Sequence, residues 1–205
     1  MKILSMQLGP IMTNCYLLCD EETKTCAVID PGAEGARVIA AMEQEGCAPR
    51  AILLTHGHYD HTGGVAELRK AFPALPVYLS SRDQFPAEDR RLSQLFPPLE
   101  NTTDYGEGDA VRVGSLTVSV LATPGHSKGS VTLLCGEAMF SGDTLFAGSM
   151  GRTDLAGGDD GEMMDSLARL GRLEGEYQVF PGHMDGSQLD REKEYNPYLR
   201  QALRG

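Results

Sequence analysis

The chain has 205 residues, a formal net charge of −11 and five scattered cysteines (Cys15, Cys19, Cys26, Cys47, Cys135), which read as reduced, mostly buried thiols. So acidic a chain offers no broad basic footprint for a phosphate backbone, and a nucleic-acid partner is not expected. No apolar run approaches the ~18 residues of a membrane span, and the N-terminal apolar residues are interrupted too early for a signal-peptide core, so a cytoplasmic protein with no membrane partner is expected.

Lys2 to Leu8, Cys15 to Cys19 and Cys26 to Ile29 read as strands, separated by Gly9-Pro10 and by Asp20-Glu21-Glu22. Asp30-Pro31-Gly32 ends the third. Ala36 to Glu45 has the apolar spacing of a helix, with Gly46 at its end. Ala51 to Leu54 is a short apolar run that reads as a buried strand. Val65 to Phe72 is predicted as a helix and Val77 to Leu79 as a strand. The polar, proline-containing stretch 81–105, with one weakly helical segment from Glu88 to Phe96, reads as a lid or insertion over a site. Strands resume at Ala110 to Val113, Leu116 to Leu121, Val131 to Cys135 and Ala138 to Phe140. A glycine-rich acidic loop at Gly157 to Gly161 precedes a helix from Glu162 to Leu173 and a last strand from Gln178 to Phe180. The tail from Leu189 to Leu203 reads as one amphipathic helix. This order fits a single domain over 1–205, with two sheets packed face to face and helices outside.

All five histidines fall in positions that read as metal ligands. His56, His58 and His61 lie with Asp60 in an HxHxDH cluster that directly follows the predicted strand Ala51 to Leu54. His126 and His183 each follow a Pro-Gly turn, and Asp143 ends a strand-like run. Burying three imidazoles and a carboxylate together without a cation would be costly. Four ligands within six residues exceed what one tetrahedral ion takes from so short a stretch, so two metals are expected. His56, His58 and His126 form one set and Asp60, His61 and His183 the other, with Asp143 as the carboxylate bridging both. Nitrogen and oxygen donors without cysteine suit two divalent ions, zinc first, with iron or manganese as alternatives.

These motifs, together with Asp30-Pro31-Gly32, resemble the metallo-β-lactamase superfamily. The resemblance implies an αββα sandwich of two mixed β-sheets flanked by helices, with the metals at one edge between the sheets. It also makes Asp30 the residue that orients the ligand cluster by hydrogen bonding. Gly142-Asp143-Thr144-Leu145-Phe146 followed by Gly151-Arg152-Thr153-Asp154 is similar to the glyoxalase II group, the hydroxyacylglutathione hydrolases, in its short bacterial branch. Full-length members carry a C-terminal helical domain that helps to bind glutathione. This chain ends about twenty residues after His183, so a form without that domain is expected.

The implied activity is metal-dependent hydrolysis of a small-molecule thioester. Two cations lower the pKa of a shared water, and the hydroxide attacks the thioester carbonyl. Asp60 and Asp143 are the catalytic carboxylates, one holding the second metal and the other bridging. A thiolate departs readily near pH 7, which suits a site with no spare histidine as general acid. A persulfide dioxygenase with one iron, or a lactonase or esterase, would use the same motifs. True β-lactamases of this fold lack the bridging aspartate, so Asp143 argues against that activity. Arg152 sits where glyoxalase II enzymes have a basic residue that contacts the glutathione part of the substrate. It is the candidate substrate anchor, or else a partner for Asp154.

Overall fold

A computed structural model describes residues 1–205. The N-terminal half runs β1 (Lys2–Leu8), β2 (Thr13–Asp20), β3 (Thr25–Ile29), α1 (Gly35–Glu45), β4 (Ala48–Leu53), α2 (Tyr59–Thr62), α3 (Val65–Ala71) and β5 (Val77–Tyr78). The C-terminal half runs α4 (Arg90–Leu95), β6 (Ala110–Val113), β7 (Leu116–Ala122), β8 (Val131–Cys135), β9 (Ala138–Gly142), β10 (Leu145–Phe146), β11 (Ser149–Met150), α5 (Asp160–Gly171), β12 (Gln178–Pro181), β13 (Ser187–Gln188), α6 (Leu189–Tyr195) and α7 (Pro197–Ala202). One mixed sheet has the order β1-β2-β3-β4-β5, and the other the order β13-β12-β9-β8-β7-β6. No helix is long and apolar enough to cross a membrane.

Side-chain alternation sorts the core into three layers. In β2 every residue is buried, so both faces of the strand must find apolar partners. Tyr16 and Leu18 point between the sheets, where they meet Val118, Val120, Leu133 and Phe140. Leu17 and Cys19 point the other way, against Val38 and Met42 of α1 and Val65 and Leu68 of α3. On the outer face of the second sheet, Met139 and Val179 pack against Met163, Leu167 and Leu170 of α5 and Leu199 of α7. The result is the αββα sandwich that the resemblance implies. Cys15, Cys19, Cys26 and Cys135 are buried free thiols, and Cys47 is half-buried.

The predicted elements are present with shifted ends, and three differences have clear causes. The tail is two helices rather than one, because Asn196-Pro197 interrupts it. Pro197 cannot continue the ladder of α6, and Asn196 Oδ1 accepts the N–H groups of Tyr198 and Leu199 at 3.0 and 3.2 Å to start α7. The HxHxDH turn contains one short helical turn, α2, closed by His61 and Thr62 N–H groups on the His58 carbonyl. The two-residue strands β10, β11 and β13 are too short to leave an alternation pattern.

Strand direction decides where the site forms. β3 and β4 run parallel with Ile29 opposite Leu53, and β9 and β12 run parallel with Gly142 opposite Pro181. β7 and β9 each pair antiparallel with β8 and therefore share a direction. The C-terminal ends of five strands thus reach one edge of the sandwich. There the sheets are tied together, Val131 N–H donating to the Thr55 carbonyl at 2.8 Å and Tyr16 Oη to the Pro181 carbonyl at 2.7 Å.

The opposite edge is tied by Asp20. Its buried carboxylate accepts from Thr23 Oγ1 at 2.6 Å, the Glu22 N–H at 3.1 Å and the Ser115 N–H, in the β6–β7 turn, at 2.6 Å. The Thr23 hydroxyl and these N–H donors outweigh the desolvation and hold its carboxyl well below the usual carboxylate range. That contribution is present above the unfolded-state value of ~3.9 and is lost as the pH falls toward the depressed folded value. Asp20→Asn should therefore lower Tm at neutral pH, and the gap to the parent should narrow on acidification below about pH 4. A gap that does not change with pH would show that the charge on Asp20 contributes nothing.

Candidate metal centre

The seven donors arrive from four strand ends. β4 delivers His56 and His58, α2 adds Asp60 and His61, and the turns after β7, β9 and β12 add His126, Asp143 and His183. His56 Nε2 lies 3.0 Å from His58 Nδ1, which lies 2.9 Å from His126 Nε2. His183 Nε2 lies 3.1 Å from Asp60 Oδ2, and His61 Nε2 lies 3.5 Å from the same oxygen. Asp143 stands between the two groups. Its Oδ1 is 3.4 Å from His61 Nε2, while its Oδ2 is 3.4 Å from His126 Nε2 and 3.6 Å from His183 Nε2. The two sets read from the sequence are thus gathered side by side, and Asp143 groups with His56 and His61, one member of each.

The orientation of the rings is fixed from behind. His61 Nδ1 meets Asp30 Oδ2 at 3.0 Å, His56 Nδ1 meets Thr55 Oγ1 at 3.1 Å and His126 Nδ1 meets the Arg152 carbonyl at 2.8 Å. Each of these oxygens is placed to accept an Nδ1 proton, which would leave the Nε2 lone pair aimed inward, the tautomer a metal ligand needs. Asp30 does this from a left-handed backbone (φ 49°), with Oδ1 accepting the Thr55 N–H at 2.7 Å and Oδ2 the Thr55 hydroxyl at 2.6 Å. Gly142 is glycine for the same reason. At φ 50° it passes so close that a Cβ would lie 2.5 Å from Thr55 Oγ1.

The electrostatics suit a cation. Burial, reinforced by the neighbouring imidazoles, pushes His56 well below the ordinary histidine range and His58 down to about 3. Both are therefore neutral at pH 7. Burial also opposes a charge on His61, but the Asp143 and Asp30 carboxylates outweigh it and hold its ring well above that range. His183 is raised in the same way by its hydrogen bond to Asp60. His61 Nε2 and Asp143 Oδ1 are buried, face each other and have no hydrogen-bond partner. Such a pair calls for positive charge between its members, carried either by a proton on His61 or by a metal ion, and the donor set fits divalent metal.

Sequence reasoning missed Asp83. It comes from the segment read as a lid, and its carboxylate is buried under the cluster. Oδ2 accepts the Gly57 N–H at 2.9 Å and the Ser127 hydroxyl at 2.6 Å, and Oδ1 accepts the Gly129 N–H at 2.6 Å. One side chain thus joins the loop carrying His56 and His58 to the loop carrying His126. Phe96, from the far end of α4, packs on the His58 ring with centroids 4.5 Å apart. Only the Ser80-x-x-Asp83 spacing hinted at a local turn, and nothing local pointed to these distant partners.

Arg152 lies at the mouth of the cleft. Its Nε and Nη2 each donate to a separate oxygen of Asp154 at 2.7 Å, so its fork is occupied within the chain. Its backbone carbonyl, rather than its guanidinium, touches the cluster.

Removing Asp83 leaves the buried N–H groups of Gly57 and Gly129 unpaired, at about 1–3 kcal/mol each, while the Ser127 hydroxyl keeps Ser130 Oγ at 2.7 Å. Asp83→Ala should lower Tm and weaken metal binding by the His56/His58/His126 set by about 10–100-fold, while the set containing His61 and His183 holds its ion. Stepwise metal titration followed calorimetrically reads the two sets separately. Equal weakening of both would show that Asp83 acts on general stability alone.

The family profile described as Metallo-beta-lactamase superfamily matches residues 8–183. The chain is 36% identical to the probable metallo-hydrolase YqgX of Bacillus subtilis, over 97% of this chain and 98% of that protein. It is 38% identical to a hydroxyacylglutathione hydrolase of Xanthomonas campestris, over 76% of this chain and 55% of that protein. Among solved structures it is similar to BLEG-1 B3 metallo-beta-lactamase (TM-score 0.86, 34% identity, 97% of this chain and 99% of that one). It is also similar to TTHA1623 in a di-iron-bound form (0.81, 38%, 95% and 99%) and to ETHE1 from Myxococcus xanthus (0.83, 31%, 96% and 84%). With a match that runs from the end of β1 to the last donor histidine, on an αββα scaffold shared by these structures, the chain belongs to the metallo-β-lactamase superfamily.

Proposed function

We propose that this protein is a metal-dependent hydrolase of thioesters, with the chemistry of a hydroxyacylglutathione hydrolase. The observation that carries this reading is what lines the cleft above the donors. Apart from the donors themselves, the lining contains no histidine, lysine or carboxylic acid, only apolar side chains, Tyr59, Ser149 and Arg152. An amine or alkoxide leaving group needs a proton from such a residue, whereas a thiolate, with a thiol pKa near ~8.5, departs without one.

His56, His58 and His126 would hold one divalent ion and Asp60, His61 and His183 a second, with Asp143 serving both. Zinc suits these donors best, and iron or manganese also fit. Two such ions would supply an acidified water and positive charge for the carbonyl oxygen. The residues of the chain do the rest. Asp60 is half-buried at the floor of the cleft and accepts a hydrogen bond from Thr13 Oγ1 at 3.2 Å, so its carboxylate is placed to orient an attacking water. Asp30, Thr55 and Asp83 keep the donors rigid, so that little reorganisation accompanies the reaction.

Two equivalents of zinc, iron or manganese should restore thioester cleavage to chelator-treated protein. Asp143→Ala should lose metal from both sets and lower kcat/KM by more than about a hundredfold. Full metal occupancy in that variant would remove Asp143 from the bridging position. Dioxygen uptake with a persulfide, without thioester cleavage, would replace the hydrolase by the mononuclear iron oxidoreductase.

A further inference from the structure

The cleft over the donors has a volume of about 410 Å³ and an apolar wall. Nine lining residues are not donors, and seven of these are apolar or aromatic, among them Ile11, Leu95, Phe146, Met150, Leu155 and Met184. Three of the most exposed large apolar side chains of the whole protein stand at this mouth: Ile11 (46% exposed), Tyr59 (49%) and Met184 (53%). Met12, 60% exposed, adjoins Ile11 in the β1–β2 turn. Scattered apolar side chains on a surface need no explanation, but their concentration around a concave site does.

The backbone reinforces this reading. Met12 and Met184 both adopt left-handed conformations, at φ 53° and φ 68°, where a side-chain-bearing residue is strained. Met184 is kept there by Asn14, whose Nδ2 donates to the Met184 carbonyl at 2.8 Å. The same Asn14 ties the sheets through the Pro181 carbonyl. The strained turn is thus anchored to the scaffold and presents methionine to the cleft.

Charge points the same way. Arg152 is the single cation of the lining, and Asp154 already occupies its fork. In the neighbouring groove, which shares Met184, Arg37 is paired with Glu34 at 2.7 Å. A substrate carboxylate therefore meets no unpaired guanidinium in either groove.

We infer that the substrate is an uncharged thioester with apolar substituents, held by this wall rather than by ionic contacts to its carrier. This inference rests on the thioesterase reading above. In the reaction the water oxygen bonds to the carbonyl carbon, the C–S bond breaks with its electron pair going to sulfur, and the two water protons divide between the departing sulfur and solvent.

The test uses the full chain loaded with two equivalents of zinc. Neutral S-alkyl thioacetates should show kcat/KM at least tenfold above that of S-lactoylglutathione, rising about three- to fourfold per added methylene until the cleft is filled. Ile11→Lys should reverse part of that preference at unchanged metal content. A tenfold preference for the glutathione thioester, unaltered by Ile11→Lys, would overturn the inference and leave the thioesterase standing. A binding arm separates the two readings. Uncharged alkyl ketones with CH₂ in place of sulfur should bind more tightly, by calorimetry, than the same ketone group carried on glutathione. If neither thioester is cleaved, the thioesterase reading fails, and this arm alone decides the character of the cleft. Tighter binding of the glutathione ketone would then overturn the apolar wall as the recognition surface.

Discussion

Everything at the site follows from the cost of taking imidazoles and carboxylates out of water at the seam between two sheets. His56, His58, His61, His126 and Asp143 are all buried there, cut off from the water that would otherwise solvate them. The scaffold offsets part of that cost by supplying a partner behind three of the rings, so that their front can face a cation. Asp30 holds His61, Thr55 holds His56, the Arg152 carbonyl holds His126, and Asp83 holds the two loops that carry the first set together. These partners come from four separate stretches of chain. The centre can therefore form only when both sheets are packed, which couples metal affinity to folding.

The donors were legible in the sequence because metal chemistry restricts them to a few residue types at short spacings. HxHxDH is dense enough to be seen without any structure. The layers were legible too, since β2, β3 and β4 alternate apolar residues between a helix-facing and a sheet-facing core. What stayed hidden has a common physical character. Asp83 makes contacts 26, 44 and 46 residues away, and its neighbours in sequence are polar and unremarkable. The break at Asn196-Pro197 was visible as a dipeptide, but the amphipathic pattern on either side masked it. The role of Asn196 lies across the fold, where its Nδ2 donates to the Phe146 and Ser149 carbonyls and fastens the β10–β11 hairpin at the cleft wall. Long-range polar contacts leave no periodicity, so no pattern along the chain announces them.

Arg152 acts on the centre through its backbone, while its side chain takes the Asp154 partner that its motif also offered. The motif puts it at the mouth of the cleft, and there it lies. Its guanidinium is satisfied by Asp154 two residues on, an exposed pair that salt would screen and that contributes little to stability. Its carbonyl oxygen orients His126. A side-chain substitution would leave that carbonyl in place, so the residue can change while its contribution to the centre persists.

The division of labour within the fold follows from these contacts. The donors sit on strand ends and one short helical turn, where parallel pairing fixes their spacing. The cleft wall is drawn partly from turns, namely Ile11 between β1 and β2, Leu155 before α5 and Met184 after β12, and partly from Leu95 at the end of α4 and from Phe146 and Met150 on the β10–β11 hairpin. Turns tolerate substitution far better than paired strand ends do. A scaffold built in this way can keep its donors in place while residues of the wall are exchanged. The membership established for this chain therefore speaks to its scaffold, and the side chains at its own site speak to the reaction and the substrate.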